Sequence, residues 1–268
     1  PLPSSTISLA APAKVNLNLF VGPALPAGNA KAGYHPIVSL MACIGLNDTV
    51  RVTRREVGTG CTLVVRWADD APRTSPIDWP SERDLALRAL RRLERHAGRD
   101  LPVGIEIEKR IPVGGGLGGG SSDAAATLVA VDRLFGLGLS SDELLGHAAE
   151  LGSDVGFFVR CARERSSRAI VRGLGDMIET HPSPRDPGGV VLVLPPFGCE
   201  TARVYRAFDQ RDPGMILAWR TPDLSSRVNM LTFAAERVEP RLTRLLSLIG
   251  ECAGSDKTWM TGSGSTIC

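Results

Sequence analysis

The first hundred residues of the chain alternate apolar and polar positions. Apolar side chains occupy every second position from Val15 to Val21, with Asn16, Asn18 and Phe20 between them. This period of two predicts a half-buried strand. Four further strands are predicted at PIVSLMACI (36–44), TVRVTRR (49–55), TLVVRW (62–67) and VGIEIEK (103–109). This part of the chain is therefore predicted to be mostly β-structure.

One strong helix signal interrupts these strands at residues 84–98. One face of this segment carries Ala86, Leu90, Leu93 and Ala97. Gly98 follows as a stop, since glycine readily adopts the left-handed conformation that ends helices. The arginine-rich stretch at 87–99 is interpreted as the solvated face of this amphipathic helix.

The second half of the chain combines helices with shorter strands. A helix is predicted up to about Phe135, and another at 140–152, where Ser140 and Glu143 have capping-box spacing and Gly152 is a stop. Strand signals at 169–176 and 190–196 are followed by helix signals at 201–208 and, with a cap, at 239–250. Strands followed by helices in each half predict an α+β protein of two lobes, residues 1–165 and 166–268, with a cleft between them.

Composition excludes several classes of protein. The chain has 268 residues, 43% of them hydrophobic, and a net charge of +2, so we predict neither a nucleic-acid partner nor a membrane partner. Its apolar runs stay below the roughly 18 residues of a membrane span. The six cysteines form no C-x-x-C pair, which favours reduced thiols and a cytoplasmic location. No oligomeric state is predicted.

The stretch PVGGGLGGGSSDAAA (112–126) places six glycines in seven positions directly before good helix formers. So much glycine indicates a sharp turn or a close approach of backbone to a ligand. Ser121 or Ser122 is predicted to cap the following helix, whose amides would form a cradle for phosphate. A flexible linker is the alternative. A dinucleotide fingerprint fits less well because the loop lies in the middle of the chain, and the absence of G-K-[ST] excludes a Walker loop.

Three other polar positions stand out, each with an ordinary alternative. Lys14 lies at the start of the first strand, where it is either functional or a surface lysine. Tyr34 and His35 follow a glycine and could hold a planar ring or form a surface pair. Asp154 lies between a helix stop and an apolar run, where it is either a reactive carboxylate or a helix cap.

These stretches together resemble the GHMP kinase superfamily. The matching motifs are APAKVNLNLFV, GYHPI, PVGGGLGGGSSDAA, LGSDVGFF and MTGSGSTIC. Their order and approximate spacing match from Ala11 to Cys268. The pairing of A-K-x-N-L-x-L with G-Y-H points to the branch that phosphorylates a cytidyl diphosphate substrate of the non-mevalonate isoprenoid pathway. The resemblance implies a ribosomal-protein-S5-like first lobe and a ferredoxin-like second lobe.

The resemblance also implies roles for individual residues. Lys14 and Asp154 are the implied catalytic pair, in which the carboxylate accepts the proton of the substrate hydroxyl and the lysine offsets charge. The loop that wraps the ATP phosphates comprises Pro112, Val113, Gly114, Gly115, Gly116, Leu117, Gly118, Gly119, Gly120, Ser121 and Ser122. Lys109 is expected near the adenosine. Mg²⁺ is expected to bridge the phosphates, with Ser122 as a ligand or, equally, as a helix cap.

The implied substrate site is an aromatic sandwich around cytosine with a histidine edge. Tyr34 and His35 match it directly, Tyr205 is the expected opposing ring, and Asn16 is expected to contact substrate. The alternatives are another small-molecule kinase of the superfamily or a nucleotide-binding protein without catalysis.

The chain departs from the family pattern in places. The connection before G-Y-H is longer than usual, and Gly156 replaces a customary proline. The turn at RCARERSSRAIVRG also differs. The family pattern continues about thirty residues past G-S-G-S-T with a last strand and helix, so either this sequence lacks that part or the second lobe is built differently.

Overall fold

The computed structural model describes residues 5–182, 188–210 and 223–268. The described strands are β1 (Thr6–Asn16), β2 (Phe20–Val21), β3 (Ile37–Arg54), β4 (Thr62–Trp67), β5 (Val103–Lys109), β6 (Arg168–Gly173) and β7 (Met177–Thr180). The described helices are α1 (Leu85–Ala97), α2 (Gly119–Phe135), α3 (Ser141–Ala149), α4 (Val155–Glu164), α5 (Thr201–Asp209), α6 (Thr232–Val238) and α7 (Arg241–Ala253), with 3₁₀ turns at Ser81–Arg83 and Ser255–Lys257. This content confirms the α+β class.

The chain divides into two compact units, each built from separate segments. Unit 1 contains the residues up to Ala13 together with Ile44–Val113 and Gly118–Ser166. Unit 2 contains Lys14–Cys43, Gly114–Leu117 and the described residues from Ser167 onward. One boundary between the units falls between residues 166 and 167, and residues 14–43 and 114–117 group with the C-terminal segment.

In unit 1, the second half of β3 pairs antiparallel with β5, and β5 pairs parallel with β4. Helices α1 to α4 pack on one another. Asp84 caps α1 by accepting a hydrogen bond from the Ala86 amide at 2.9 Å, and Gly98 ends the helix at φ 63°. The capping box of Ser140 and Glu143 is also confirmed. Helix α3 ends at Ala149, three residues before the predicted stop at Gly152.

In unit 2, the first half of β3 pairs antiparallel with β2 and β6, and β6 pairs antiparallel with β7. An apolar cluster joins these strands to α5, α6 and α7, with Leu231 and Leu242 fully buried. The N-cap residue of α7 is Pro240, which makes no side-chain capping hydrogen bond, so the helix lacks the predicted cap. The residue before it, Glu239, accepts a hydrogen bond from the Arg241 amide at 3.2 Å.

Three strand predictions need correction. The stretches 36–44 and 49–55 form the single strand β3, because each half has its own pairing partner across the polar residues between them. The stretch 190–196 keeps only a bridge between Val193 and Ile267, since its two prolines cannot donate to a ladder.

The half-buried strand predicted from the alternation between Val15 and Val21 is also wrong. Strand β1 ends at Asn16, and Asn16, Asn18 and Phe20 are as buried as the apolar residues between them. The asparagines can be buried because the protein satisfies them. The Asn18 amide group accepts from the Leu40 N–H and donates to the Leu224 carbonyl, both at 2.8 Å.

Candidate active site

The glycine-rich segment enters α2 earlier than the sequence predicts. Gly118 is the N-cap residue at φ 73°, and the helix begins at Gly119. The Ser122 amide already donates to the Gly118 carbonyl at 2.9 Å, so the predicted serine cap is wrong. The amides of Gly119, Gly120 and Ser121 come before this first helical hydrogen bond and are the donors that a helix N-terminus offers to an anion.

The first half of the loop, Gly114–Leu117, packs within unit 2. A Cβ atom on Gly115 would lie 3.0 Å from Thr266 Oγ1, and one on Gly116 would lie 3.3 Å from the Gly264 carbonyl oxygen. Thr266 Oγ1 also donates to the Gly115 carbonyl at 2.6 Å. The G-S-G-S-T motif therefore supports this half of the loop, a role that sequence reasoning missed because it used the motif only for resemblance.

Lys14 is buried, which excludes the surface-lysine alternative. Only 4% of the residue is exposed, and its Nζ donates to Asn16 Oδ1 at 2.7 Å. The amide nitrogen of the Asn16 side chain donates in turn to Ser39 Oγ at 2.8 Å. The Asn16 side chain thus holds Lys14 in place, and its predicted contact with substrate stays a prediction.

Asp154 occupies the position before α4 without capping it. Its backbone has φ −91° and ψ −14°, and its side chain makes no capping hydrogen bond within the described chain. The residue as a whole is partly buried. The helix-cap alternative is therefore not the role that this side chain has in the structure.

Lys109 lies in an ion network rather than on an open surface. Its Nζ donates to carboxylate oxygens of Asp48 and, at 2.7 Å, of Asp123. Burial opposes the charge of Lys109, but the attraction of both carboxylates outweighs it and raises the lysine pKa. Sequence reasoning expected this lysine near the adenosine and missed both aspartates.

Ser122 and Asp123 carry side-chain atoms with unused hydrogen-bonding capacity. Ser122 Oγ and Asp123 Oδ1 are buried and have no hydrogen-bond partner among the described residues. Burial and the nearby Asp48 raise the pKa of Asp123, although Lys109 opposes this shift. An unpartnered hydroxyl in the first turn of α2 fits the expected magnesium ligand, since Mg²⁺ prefers oxygen donors.

The predicted base-binding residues of unit 2 separate into buried and exposed groups. Tyr34 is 60% exposed, with Lys31 Nζ 5.7 Å from its ring centre. His35 is buried, and its ring centre lies 5.1 Å from that of Tyr205. His35 Nδ1 lies 2.9 Å from the Gly22 carbonyl oxygen, and Nε2 lies 3.4 Å from Asp209 Oδ1. His35 is buried, so the two residues do not form a surface pair, and protein groups face both nitrogens of the histidine ring.

The helical part of unit 1 matches a known protein family. The model of the GHMP kinases N terminal domain matches residues 84–161, which include the glycine-rich start of α2. A homoserine kinase structure from Cytophaga hutchinsonii shares the fold with a TM-score of 0.63 at 17% identity, covering 100% of this chain and 85% of that one. The fold is therefore that of the GHMP kinases.

Proteins with higher sequence identity to this chain identify the family within the GHMP kinases. The 4-diphosphocytidyl-2-C-methyl-D-erythritol kinase of Heliobacterium modesticaldum is 36% identical, with 97% of this chain and 84% of the relative aligned. The same enzyme of Paenarthrobacter aurescens is 34% identical, covering 98% and 84%. A crystal structure of 4-(cytidine 5'-diphospho)-2C-methyl-D-erythritol kinase matches with a TM-score of 0.69 at 29% identity, covering 97% of this chain and 88% of that one. The chain belongs to the 4-diphosphocytidyl-2-C-methyl-D-erythritol kinase family.

Proposed function

We propose that this chain transfers the γ-phosphoryl group of ATP to the 2-hydroxyl of 4-diphosphocytidyl-2-C-methyl-D-erythritol, a step in making isoprenoid precursors by the non-mevalonate route. The observation that carries the proposal is the likeness to kinases of that name over 97% of the chain. The retained Lys14 and Asp154 favour an active enzyme over a nucleotide-binding protein without catalysis.

The nucleotide is proposed to bind at the start of α2. The amides of Gly119, Gly120 and Ser121 would donate to the phosphate oxygens, and the positive end of the helix dipole favours the same anion. Ser122 Oγ would contribute a ligand to Mg²⁺, which when bound offsets phosphate charge. The buried, unpartnered state of this hydroxyl among the described residues supports the assignment.

Lys14 and Asp154 are proposed to act on the reacting hydroxyl. Asp154 would accept the hydroxyl proton as the oxygen bonds to the γ-phosphorus and ADP leaves. Lys14 would hold the oxygen and offset the negative charge of the transferred group. The hydrogen bond from Lys14 to Asn16 Oδ1 supports this role because it fixes the ammonium in a buried position.

The cytidyl group is proposed to lie against the aromatic residues of unit 2. Tyr205 and the exposed Tyr34 would supply ring faces for stacking. His35 would act indirectly, since its ring packs on Tyr205 and is fixed by the Gly22 carbonyl and Asp209.

A substrate comparison tests the proposal. The purified chain is incubated with Mg²⁺ and ATP and, separately, with 4-diphosphocytidyl-2-C-methyl-D-erythritol, mevalonate or homoserine, and ³¹P NMR follows the products. We expect a new phosphomonoester on the cytidyl substrate, with kcat/KM at least about a hundredfold above the other two alcohols. Preferred phosphorylation of mevalonate or homoserine would move the chain to another GHMP activity. Nucleotide binding without transfer to any alcohol would support the non-catalytic alternative.

A further inference from the structure

The buried ion network of unit 1 joins the end of β5 to the start of α2. Asp48, Lys109 and Asp123 are each at most 4% exposed. Lys109 Nζ is shared between the two carboxylates, one on β3 and one on α2. Buried charges are costly unless paired and hydrogen-bonded, so this arrangement holds the three side chains in a narrow range of positions.

The network also fixes the backbone that leads into the glycine loop. Asp48 Oδ1 accepts hydrogen bonds from the Arg110 amide at 2.5 Å and the Ile111 amide at 2.8 Å. The same carboxylate therefore holds both the Lys109 ammonium and the chain that follows it. A change at Asp48 would therefore disturb both the segment before Pro112 and the Lys109 ammonium that pairs with Asp123.

The first residue of α2 lies directly on this network. A Cβ atom at Gly119 would lie 3.0 Å from Ile111 Cγ2 and 3.3 Å from Lys109 Nζ. Asp123 extends from the next turn of the same helix and accepts from Lys109 Nζ at 2.7 Å. The helix start is thus held from two sides, by backbone packing at Gly119 and by the ion pair at Asp123.

We propose that the Asp48–Lys109–Asp123 network positions the first turn of α2 for the triphosphate, and that Lys109 is a positioning residue rather than a nucleotide ligand. The inference rests on the proposed nucleotide site at the start of α2. Its physical basis is preorganisation: amides already held in place bind an anion without the cost of ordering them.

The other end of α2 provides a matched control. Asp132 is also 4% exposed, its Oδ1 accepts from the Leu139 amide at 3.0 Å, and its Oδ2 lies 3.6 Å from an Arg163 nitrogen. Asp123 and Asp132 are therefore both buried, cation-paired aspartates of one helix. Truncating either should lower stability, but only Asp123 contacts the network at the helix start.

The test compares Asp123→Ala, Asp123→Asn and Asp132→Ala in the full chain, with Tm, kcat and KM measured for MgATP and the cytidyl substrate. We expect Asp123→Ala to raise KM for MgATP about tenfold while KM for the cytidyl substrate stays within twofold. Asp123→Asn should recover most of the loss, because its amide oxygen can still accept from Lys109. Asp132→Ala should lower Tm comparably and leave KM for MgATP within twofold.

Equal KM values for Asp123→Ala and Asp132→Ala would overturn the positioning role. So would a loss of Tm in Asp123→Ala with no change in KM for MgATP. If Asp123→Ala does not fold, Lys109→Gln against Lys109→Arg makes the same comparison, since arginine keeps the charge and glutamine removes it. Failure of the wild-type chain to bind MgATP, measured by calorimetry, would instead count against the proposed nucleotide site.

Discussion

The two halves of the glycine loop use the same residue for different physical reasons. In Gly114–Leu117, glycine lets the chain take a left-handed backbone and pack closely on the G-S-G-S-T segment of unit 2. In Gly118–Ser122, Gly118 starts a helix at φ 73°, and Gly119 packs on Ile111 and Lys109 of unit 1. Only the second half presents helix-start amides.

The difference separates glycines that packing requires from glycines that offer backbone amides at a helix start. A run of glycines suggests uniform closeness to phosphate, but at Gly116 and Gly119 the protein neighbours are themselves enough to require glycine. Among the described residues, only Leu85 Cδ1 lies near the Cβ position of Gly120, at an ordinary contact distance of 3.8 Å. Substitution along the loop should therefore produce effects that vary with these neighbours rather than one common loss of binding.

The largest expected effect on stability is that of Gly116→Ala. The new alanine would have to keep the φ of 73° that Gly116 has. Its Cβ atom would lie 3.3 Å from the Gly264 carbonyl oxygen and 3.4 Å from that of Thr261. Strain and overpacking together should lower the free energy of unfolding by about 2–4 kcal/mol. Gly114→Ala is the control, since Gly114 has φ 78° but open space around it, and should cost roughly 1–2 kcal/mol. Denaturant unfolding that gives equal losses would show that packing of this half is unimportant.

Gly118→Val should mainly weaken the binding of MgATP. A β-branched residue at φ 73° is strained, and relief of that strain would move the amides at the helix start. We expect Kd for MgATP, measured by calorimetry, to rise at least about tenfold. Gly138→Val places the same side chain at φ 72° in open space past the C-terminus of α2 and should leave that Kd within twofold. Unchanged affinity in Gly118→Val would contradict a ligand-binding role for this half.

The smallest effects separate Gly119 from Gly120. Gly119→Ala should lower the free energy of unfolding by about 1–3 kcal/mol, because the new methyl group would lie 3.0 Å from Ile111 Cγ2. Gly120→Ala should leave the free energy of unfolding unchanged or raise it by up to about 1 kcal/mol, since alanine favours the helix more than glycine does. Thermal unfolding of the pair measures the difference. A reversed order would mean that α2 does not pack on Ile111 as described.

Local sequence patterns predicted much of unit 1. The α1 stop at Gly98 and the capping box at Ser140 depend on residues within a few positions of one another, and both are confirmed. The start of α2 was misplaced because serine is the more common cap, whereas here Gly118 takes the N-cap conformation. Burial of Asn16 and Asn18 was missed because their partners, Ser39 and Leu40, are more than twenty residues away.

In the candidate site too, features carried by local motifs were predicted and features that depend on distant partners were missed. The catalytic roles of Lys14 and Asp154 were predicted from the resemblance of their motifs to a kinase superfamily, because each residue taken alone has an ordinary structural alternative. The Asp48 and Asp123 partners of Lys109 were not found, because a tertiary ion pair leaves no local pattern. The histidine edge was assigned from resemblance, and the structure turns both His35 nitrogens toward protein groups.

The most direct test of the account is Asp154→Asn, measured as single-turnover phosphoryl transfer together with the Kd for MgATP. The amide keeps the shape of the carboxylate but cannot accept the hydroxyl proton. The account predicts that transfer falls by about a hundredfold to ten-thousandfold while Kd stays within twofold. Asp142→Asn, on the exposed first turn of α3, should match the wild-type chain. More than about half of wild-type transfer in Asp154→Asn would contradict its role as the general base.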